Sequence, residues 1–414
     1  MLDLLGPDTV AGYCTNVHAG LTCDEVLANL DCYTLAVKQR VSPNRPMGVG
    51  LWLGAQTARQ LVNEKRIDEL ALWLSRRGLF VFTLNGFPYG NFHQESVKHQ
   101  VYQPDWRDPR RLAYTIDLVT VLSGLLAKGT GPLLLNERGT RPVEGSISTL
   151  PVAWRGESGR AVDGVATAAR HLLQAVDHLA RLEQETGQLI HVDLEPEPGC
   201  VLQTSQDVVD FFAHHLDPIG HPPRTRRYLR VCYDTCHGAV MFEPCGNMLR
   251  RYRRAEIQIG KVQVSSAISA DLDKRNHADH HACLNQLKAF QEDRYLHQTV
   301  IQTTNPEGKE TRLFYEDLPA AIASCRRGTP PAERWRVHFH VPLFLDRIGQ
   351  LETTNRLALN DLAQITARTH VRHFEIETYA WGVLPGHVTN TDLATGIAQE
   401  FAWLTRHATD GSRA

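Results

Sequence analysis

L-I-H-V-D-L-E, residues 189–195, is a short apolar run that ends in a carboxylate. It follows a helical pattern and precedes a loop, so it reads as a buried strand. Four other runs are built in the same way: L-R-V-C-Y-D-T-C-H (229–237), K-V-Q-V-S-S (261–266), R-V-H-F-H-V (336–341) and H-F-E-I-E-T-Y (373–379). A carboxylate beside a buried strand needs something to offset its desolvation. Several strands that place polar groups at their C-terminal ends point to one shared site at one end of a parallel barrel.

Outward from these runs, strand and helix signals alternate. The first strand is G-Y-C-T-N-V-H (12–18), followed by a helix opening at Thr22, whose T-x-x-E spacing to Glu25 is a capping box. The second strand is V-G-L-W-L (49–53), with a helix over about 57–77, and the third is L-F-V-F-T-L-N (79–85), ending in G-F-P-Y-G-N-F-H. A long connection holds a helix near 109–128, an irregular piece with G-S-I-S-T-L-P-V-A-W (145–154) and a helix near 160–187. The runs at 189–195, 229–234, 261–266 and 336–341 supply strands four to seven, and 373–379 supplies the eighth. The closing helix, about 392–406, carries Leu393, Ile397, Phe401 and Leu404 on one face.

Eight strands, each followed by helical sequence, predict an α/β fold, a (β/α)₈ TIM barrel. A doubly wound sheet would carry a Gly-rich phosphate loop after its first strand, and C-T-N-V-H-A-G-L-T is not one. Two insertions stand out, about 90–160 after strand 3 and 268–333 after strand 6. The second contains a helix and a hairpin, Y-L-H-Q-T-V-I-Q-T-T and E-T-R-L-F-Y around a turn at N-P-E-G-K. Both follow strands on the predicted active face, so both are expected to cover the pocket mouth, with Phe87, Tyr89, Phe92 and Trp154 as walls. With no repeats and no low-complexity linker, residues 1–414 read as one domain with decorations.

Composition narrows the class of function. Forty-two per cent apolar and 22% charged residues are the values of a soluble globular chain. A net charge of −2 offers no electrostatic case for nucleic acid or an anionic membrane as partner. No run approaches the roughly 18–20 apolar residues that span a bilayer, and M-L-D-L-L-G-P-D is not a secretory signal. The nine cysteines are scattered with no C-x-x-C pair, which fits free thiols and a cytoplasmic location.

The chemistry lies at the strand ends. Glu195, Asp234, Gln263 and Glu377 end strands four, five, six and eight, where successive strands converge. Three carboxylates brought together repel one another in a low-dielectric pocket, and a divalent cation is the usual remedy. Oxygen donors, with Gln263 offering its carbonyl, suit Mg²⁺ or Mn²⁺ better than Zn²⁺. His237 follows Asp234 by three residues; His338 and His340 share a face, His340 nearer the strand end; His18 and Asn85 end strands one and three. His237, His340, His18 and Asn85 are the expected substrate contacts. Glu375 is deeper than Glu377 and is expected in a buried ion pair. The cluster H-A-D-H-H (277–281) reads as a solvated helix start, and Cys236 as packing.

Glu195, then D-x-x-H, then a donor at the K-V-Q-V-S-S strand and Glu377 on the last strand resemble the xylose-isomerase-like barrels. That superfamily includes ketose epimerases, inosose dehydratase, hydroxypyruvate isomerase and endonuclease IV. Glutamine at the position commonly held by histidine is similar to the hydroxypyruvate-isomerase branch. The resemblance implies Glu195, Asp234, Gln263 and Glu377 as metal ligands and His237 as a substrate contact. Over nearly the whole chain, Y-C-T-N-V-H, N-G-F-P-Y-G-N-F-H, S-I-S-T-L-P, E-P-E-P-G-C, Y-D-T-C-H, Y-L-H-Q, H-F-H-V-P and E-I-E-T-Y-A-W resemble the EboE proteins, a family linked to traffic of small metabolites.

The expected activity is a metal-dependent isomerisation or epimerisation of a sugar-like or polyol-like hydroxy-carbonyl metabolite. Glu195 and Glu377 are the expected acid–base pair, and the cation would stabilise the enediolate. Two other readings stand beside it. One is metal-assisted phosphoester hydrolysis, which needs a multi-metal cluster richer in histidine. The other is a binding or carrier protein without turnover.

Overall fold

The computed structural model describes residues 5–6, 8–129, 143–155, 163–272, 277–305, 307–324, 333–385 and 391–410. Parts of both expected insertions, 130–142, 156–160, 273–276, Pro306 and 325–332, lie outside the described residues.

Seven parallel strands come first: β1 (Val10–Tyr13), β2 (Met47–Trp52), β3 (Leu79–Asn85), β4 (Glu144–Thr149), β5 (Leu189–Leu194), β6 (Leu229–Asp234) and β7 (Ile259–Val264). A second sheet follows, of β8 (Ile268–Asp271), β9 (Thr299–Thr304), β10 (Glu310–Tyr315), β11 (Glu333–Val337), β12 (Arg347–Ile348) and β13 (Leu351–Thr353). The chain then returns as β14 (His373–Ile376). The large sheet runs β1-β14-β7-β6-β5-β4-β3-β2, and a parallel bridge from Cys14 to Gly50 joins its two ends. This is the expected (β/α)₈ barrel. Long amphipathic helices, among them Pro109–Lys128 and Val165–Thr186, pack around it. The capping box at Thr22 and Glu25 forms as the spacing predicts.

Two strand assignments differ from the sequence reading. The irregular piece at 145–154 supplies a barrel strand, β4, between β3 and β5. The run at 336–341 is not in the barrel. Its first residues end β11, which pairs antiparallel with β9 and β8 in the second sheet. K-V-Q-V therefore lies on the seventh barrel strand, and the second insertion follows that strand. The hairpin expected within it forms as β9 and β10, antiparallel and in register from Thr304–Glu310 to Thr299–Tyr315.

Alternation along the barrel strands decides what the interior holds. His191, Asp193 and Glu195 share one face of the β5 segment, and His373, Glu375 and Glu377 share one face of the β14 segment. All six are buried. Below the site, Lys261 pairs with Glu375 at 2.5 Å, both side chains fully buried, and Lys261 Nζ also donates to Ser148 Oγ at 3.2 Å. This is the buried ion pair expected for Glu375. Gly50 makes room for it, since a Cβ there would overlap the Glu375 carboxylate. Deeper still, Glu144 accepts from Arg230 at 2.8 Å, and His373 Nδ1 meets Ser146 Oγ at 2.8 Å. The barrel interior thus carries a polar column, with the small apolar group of Val10, Phe80 and Phe82 packed against His373 and the main apolar core outside the strands.

The closing helix Leu393–Asp410 buries Ile397, Phe401 and Leu404 as expected, and it also buries Glu400 completely. Thr378 Oγ1 donates to Glu400 Oε1 at 2.6 Å and the Leu343 N–H donates at 3.2 Å. Burial outweighs both and pushes its carboxyl up to about 7. A carboxyl whose folded pKa is raised carries no penalty below its unfolded value and a full penalty above its folded one. The contribution of Glu400 to stability therefore falls as pH rises from about 4.5 to about 7. Glu400→Gln should remove that fall and gain on the order of 2–3 kcal/mol at pH 8 relative to pH 4.5. Urea unfolding of both proteins across that range measures it. Parallel stability–pH curves would contradict the assignment.

Candidate functional site

Glu195 lies immediately after β5, Asp234 ends β6 and Glu377 lies immediately after β14. One carboxylate oxygen from each falls within 4.8 Å of the others, and all three side chains are buried. Asp234 also caps the short helix Thr235–Val240, so its Oδ1 accepts from the N–H groups of Cys236 (2.6 Å) and His237 (3.1 Å) and from Ser265 Oγ (2.6 Å). Its Oδ2 is buried without a hydrogen-bond partner, as is Glu195 Oε2. Glu377 Oε1 accepts from Asn16 Nδ2 at 2.7 Å and from Asn85 Nδ2 at 3.0 Å.

Burial and mutual repulsion then divide the three. Burial, with the charges of Glu377 and Asp234, raises the Glu195 carboxyl well above the ordinary range. Burial, with Asp234 and Glu375, does the same to Glu377. Burial also works against Asp234, but His237 and His340 beside it, with the Ser265 and His237 donors, hold its carboxyl below the usual value. Like charges in a dry pocket thus push the carboxyls of Glu195 and Glu377 up while the donors around Asp234 hold its carboxyl down.

Gln263 sits on the same face of β7 as Lys261, beside Asp234 in register. Its Oε1 accepts from Cys232 Sγ at 2.7 Å, and its Nε2 is buried without a partner. The carboxylate trio with its orphaned oxygens fits a hard divalent cation. Glu195, Asp234 and Glu377 would hold it.

Three imidazoles stand beside the trio. His237 Nε2 is 3.2 Å from His338 Nε2, which is 3.1 Å from His340 Nε2. His338 and His340 follow β11 and reach the barrel mouth because Val341 N–H donates to Ser266 O beyond β7. His338 is pushed well below its ordinary value, first by burial and then by the neighbouring imidazoles; His340 is pushed down to about 4, with burial the main cause. Glu197 completes this wall, accepting from Tyr102 Oη (2.8 Å) and Gln298 Nε2 (3.0 Å).

Glu195, Glu377 and the imidazoles border a small cleft with a cavity volume of about 60 Å³. Glu195, Glu197, Glu377, Asn16, Asn85, His237, His338 and His340 line its polar side. Phe87, Phe92, Tyr102, Tyr295 and Tyr379 line its apolar side. Lys98 lines it too, with its Nζ 2.7 Å from Asp317 Oδ2. Both insertions reach the cleft: Phe92 and Tyr102 come from the first, Tyr295 and Leu296 from the second. Trp154 packs at a tilt on Tyr102, with ring centroids 4.7 Å apart, and Tyr89 packs on Tyr114.

The structure thus brings together Glu195, Asp234, Glu377, His237, His340 and Asn85. Asn85 acts on Glu377, and its Oδ1 accepts from Phe87 N–H at 3.0 Å. His18 lies elsewhere. Its Nε2 meets Tyr13 Oη at 3.0 Å, its ring stacks on Tyr33, and burial pushes it down to about 3. Sequence reasoning missed Asn16 and Glu197, and it ranked His338 behind His340. The signals were present. Asn16 lies just beyond β1 as Asn85 ends β3, and Glu197 is two residues beyond Glu195. In the cluster at 277–281, His280 is buried with its Nε2 on Leu272 O.

No family model matches the chain, and no curated protein matches it. Solved structures do. The probable 3-DHS dehydratase AsbF of Bacillus anthracis is 14% identical, with a TM-score of 0.46 over 96% of this chain and 98% of its own. A xylose isomerase-like TIM barrel protein of Mycobacterium smegmatis, in complex with magnesium, is 12% identical, with a TM-score of 0.44 over 97% of each chain. A xylose isomerase domain protein of Alicyclobacillus acidocaldarius is 13% identical, with a TM-score of 0.45 over 97% of this chain and 100% of its own. Among the described residues, no helix is long and apolar enough to cross a membrane.

Proposed function

We propose that this chain is a metal-dependent isomerase or epimerase of a small, uncharged, polyhydroxylated carbonyl compound. The observation that carries the reading is the pairing of Glu195 and Glu377. Both carboxylates face one point, and both border an open cleft. Two carboxylates placed on either side of one point are the arrangement that moves a proton off one face of a carbon and onto another.

Glu195, Asp234 and Glu377, with Gln263 as a further oxygen donor, would hold Mg²⁺ or Mn²⁺, with Zn²⁺ as the alternative. Such an ion supplies Lewis-acid polarisation of a carbonyl oxygen. The protein residues do the rest. Glu377, fixed by Asn16 and Asn85, moves a proton at one face of the substrate carbon, and Glu195 moves one at the other. The histidine wall and Glu197 meet hydroxyl groups and fix orientation. Phe87, Phe92, Tyr295 and Tyr379 exclude water from the reacting carbon. The cation at the cleft, Lys98, is taken up by Asp317, which favours a neutral substrate over a phosphorylated one.

The resemblance to a metabolite-traffic family adds a carrier reading, in which the cleft binds without turnover. Incubation with hydroxy-carbonyl sugars and polyol ketones in D₂O, followed by NMR, separates the two. Deuterium should enter at the carbon next to the carbonyl, with loss of exchange after chelation. Tight binding of a metabolite without exchange from any compound of the class would establish the carrier instead.

A further inference from the structure

We propose a ligand site at the opposite end of the barrel from the carboxylates: an arginine-lined cavity that takes a small organic phosphate with an apolar ring, of the size of a nucleotide. The cavity has a volume of about 760 Å³, against about 60 Å³ for the cleft at the mouth. It is bounded by the helix Cys245–Arg254, the end of the helix Asn355–Arg368 and the starts of β6 and β7. Arg230 is the second residue of β6 and Asp234 the last, which puts about 13 Å of strand between them. The buried Lys261–Glu375 pair lies between the two ends, so a ligand in this cavity does not reach the carboxylates.

The arginines of the cavity are set apart by what they lack. Around it, guanidiniums are matched to carboxylates: Arg226 with Asp217 at 2.8 Å, Arg251 with Glu243 at 3.1 Å, Arg227 with Glu183 and Arg224 with Asp177. Arg250, Arg253 and Arg368 line the cavity, are exposed, and have no carboxylate partner among the described residues. Arg250 meets only the side-chain oxygen of Asn247. On the floor, Arg230 is 8% exposed. Its Nε donates to Arg227 O at 3.2 Å and its Nη1 to Glu144 Oε1 at 2.8 Å, while its Nη2 has no partner among the described residues. Glu256 is the one carboxylate among the described residues of the lining. With Arg230 set against Glu144 and one rim guanidinium against Glu256, two positive charges remain for a ligand. Guanidinium forks bind phosphate oxygens through paired N–H donors. Arginines at helix C-termini also complement the helix dipole. That accounts for Arg253 and Arg368 at the ends of their helices, but not for Arg230 on a strand or for the cavity between them.

The rest of the lining describes the rest of the ligand. The volume exceeds what an inorganic phosphate fills and lies within the range of about 300–1,000 Å³ of small-molecule sites. Leu249, Tyr252, Ile257 and Ile259 supply apolar surface between the charges, and Gln258 and Thr369 supply neutral polar groups. That mixture fits a ring carried on the phosphate. A concave site of this kind, in a chain of net charge −2, favours one small anion over a nucleic-acid backbone.

Calorimetric titration of the full chain in EDTA is the test, since the chelator removes any phosphate binding through a metal at the carboxylates. The probes are ADP, inorganic pyrophosphate and adenosine. ADP should bind at one equivalent, and pyrophosphate and adenosine should each bind more weakly. Arg253→Gln and Arg368→Gln should each weaken ADP about 3- to 10-fold, and the double variant about 10- to 100-fold. Both side chains are exposed and without a carboxylate partner among the described residues, so the fold should persist, which circular dichroism checks. In crystals of the wild type soaked with ADP, a phosphate should lie within hydrogen-bond distance of Arg230 Nη2. No binding of ADP, binding that the double variant leaves intact, or ADP density at the barrel mouth would overturn the proposal. A single-stranded DNA oligomer that binds more tightly than ADP would also overturn it. Pyrophosphate bound as tightly as ADP would overturn the assignment to an organic phosphate.

Discussion

Glu377→Gln is expected to lower substrate-proton exchange by about 10²–10⁴-fold, the contribution of a general acid–base group, while the barrel stays folded. Gln keeps the size and an oxygen acceptor, so the amides of Asn16 and Asn85 retain a partner on that oxygen. It cannot carry the proton. The same loss is expected for Glu195→Gln, whose Oε2 has no partner among the described residues. Metal content must be measured on each variant, since loss of the ion would mimic loss of the acid. A variant that keeps its fold and its metal and still exchanges protons at the wild-type rate would remove that residue from the mechanism.

The second large effect is on stability. Lys261→Met should cost about 3–5 kcal/mol, because it leaves the fully buried Glu375 charge without its partner. Burial pushes the Lys261 ammonium toward its neutral form, yet Glu375 beside it, together with Cys232 and Cys14 nearby, holds it charged. Most of the loss should return in the double variant Lys261→Met/Glu375→Gln, where no lone charge remains. Urea unfolding of the three variants and the wild type measures both terms. A single variant within about 1 kcal/mol of wild type, or a double variant no more stable than the single, would show that the pair is not what holds this layer together.

The barrel was legible wherever a strand is apolar. LFVFTLN and LIHVDLE are buried along their whole length and announce themselves. The fourth strand did not. Its inward residues Ser146 and Ser148 bond His373 and Lys261, so the run lacks the apolar density of its neighbours. RVHFHV misled for the opposite reason. Trp335, Val337, Phe339 and Val341 are all fully buried, but in the core of the second sheet. A period of two reports that a segment is a strand and says nothing about which sheet receives it. The carboxylates were found because each ends a legible strand. Asn16 and Glu197 were missed because each lies just past a strand end, where the fold and not the pattern decides what a side chain meets.

The second sheet, inserted between β7 and β14, has a consequence for how this protein can be dissected. Its β11 leads straight into His338 and His340, and Gln298, next to β9, orients His338. A shorter chain that joined β7 directly to β14 would retain eight barrel strands, the polar column and the three carboxylates. It would lack two of the three imidazoles and the amide that aligns them. The second sheet and the candidate site are therefore one inheritance: a barrel without this sheet can share the architecture but not the imidazole wall.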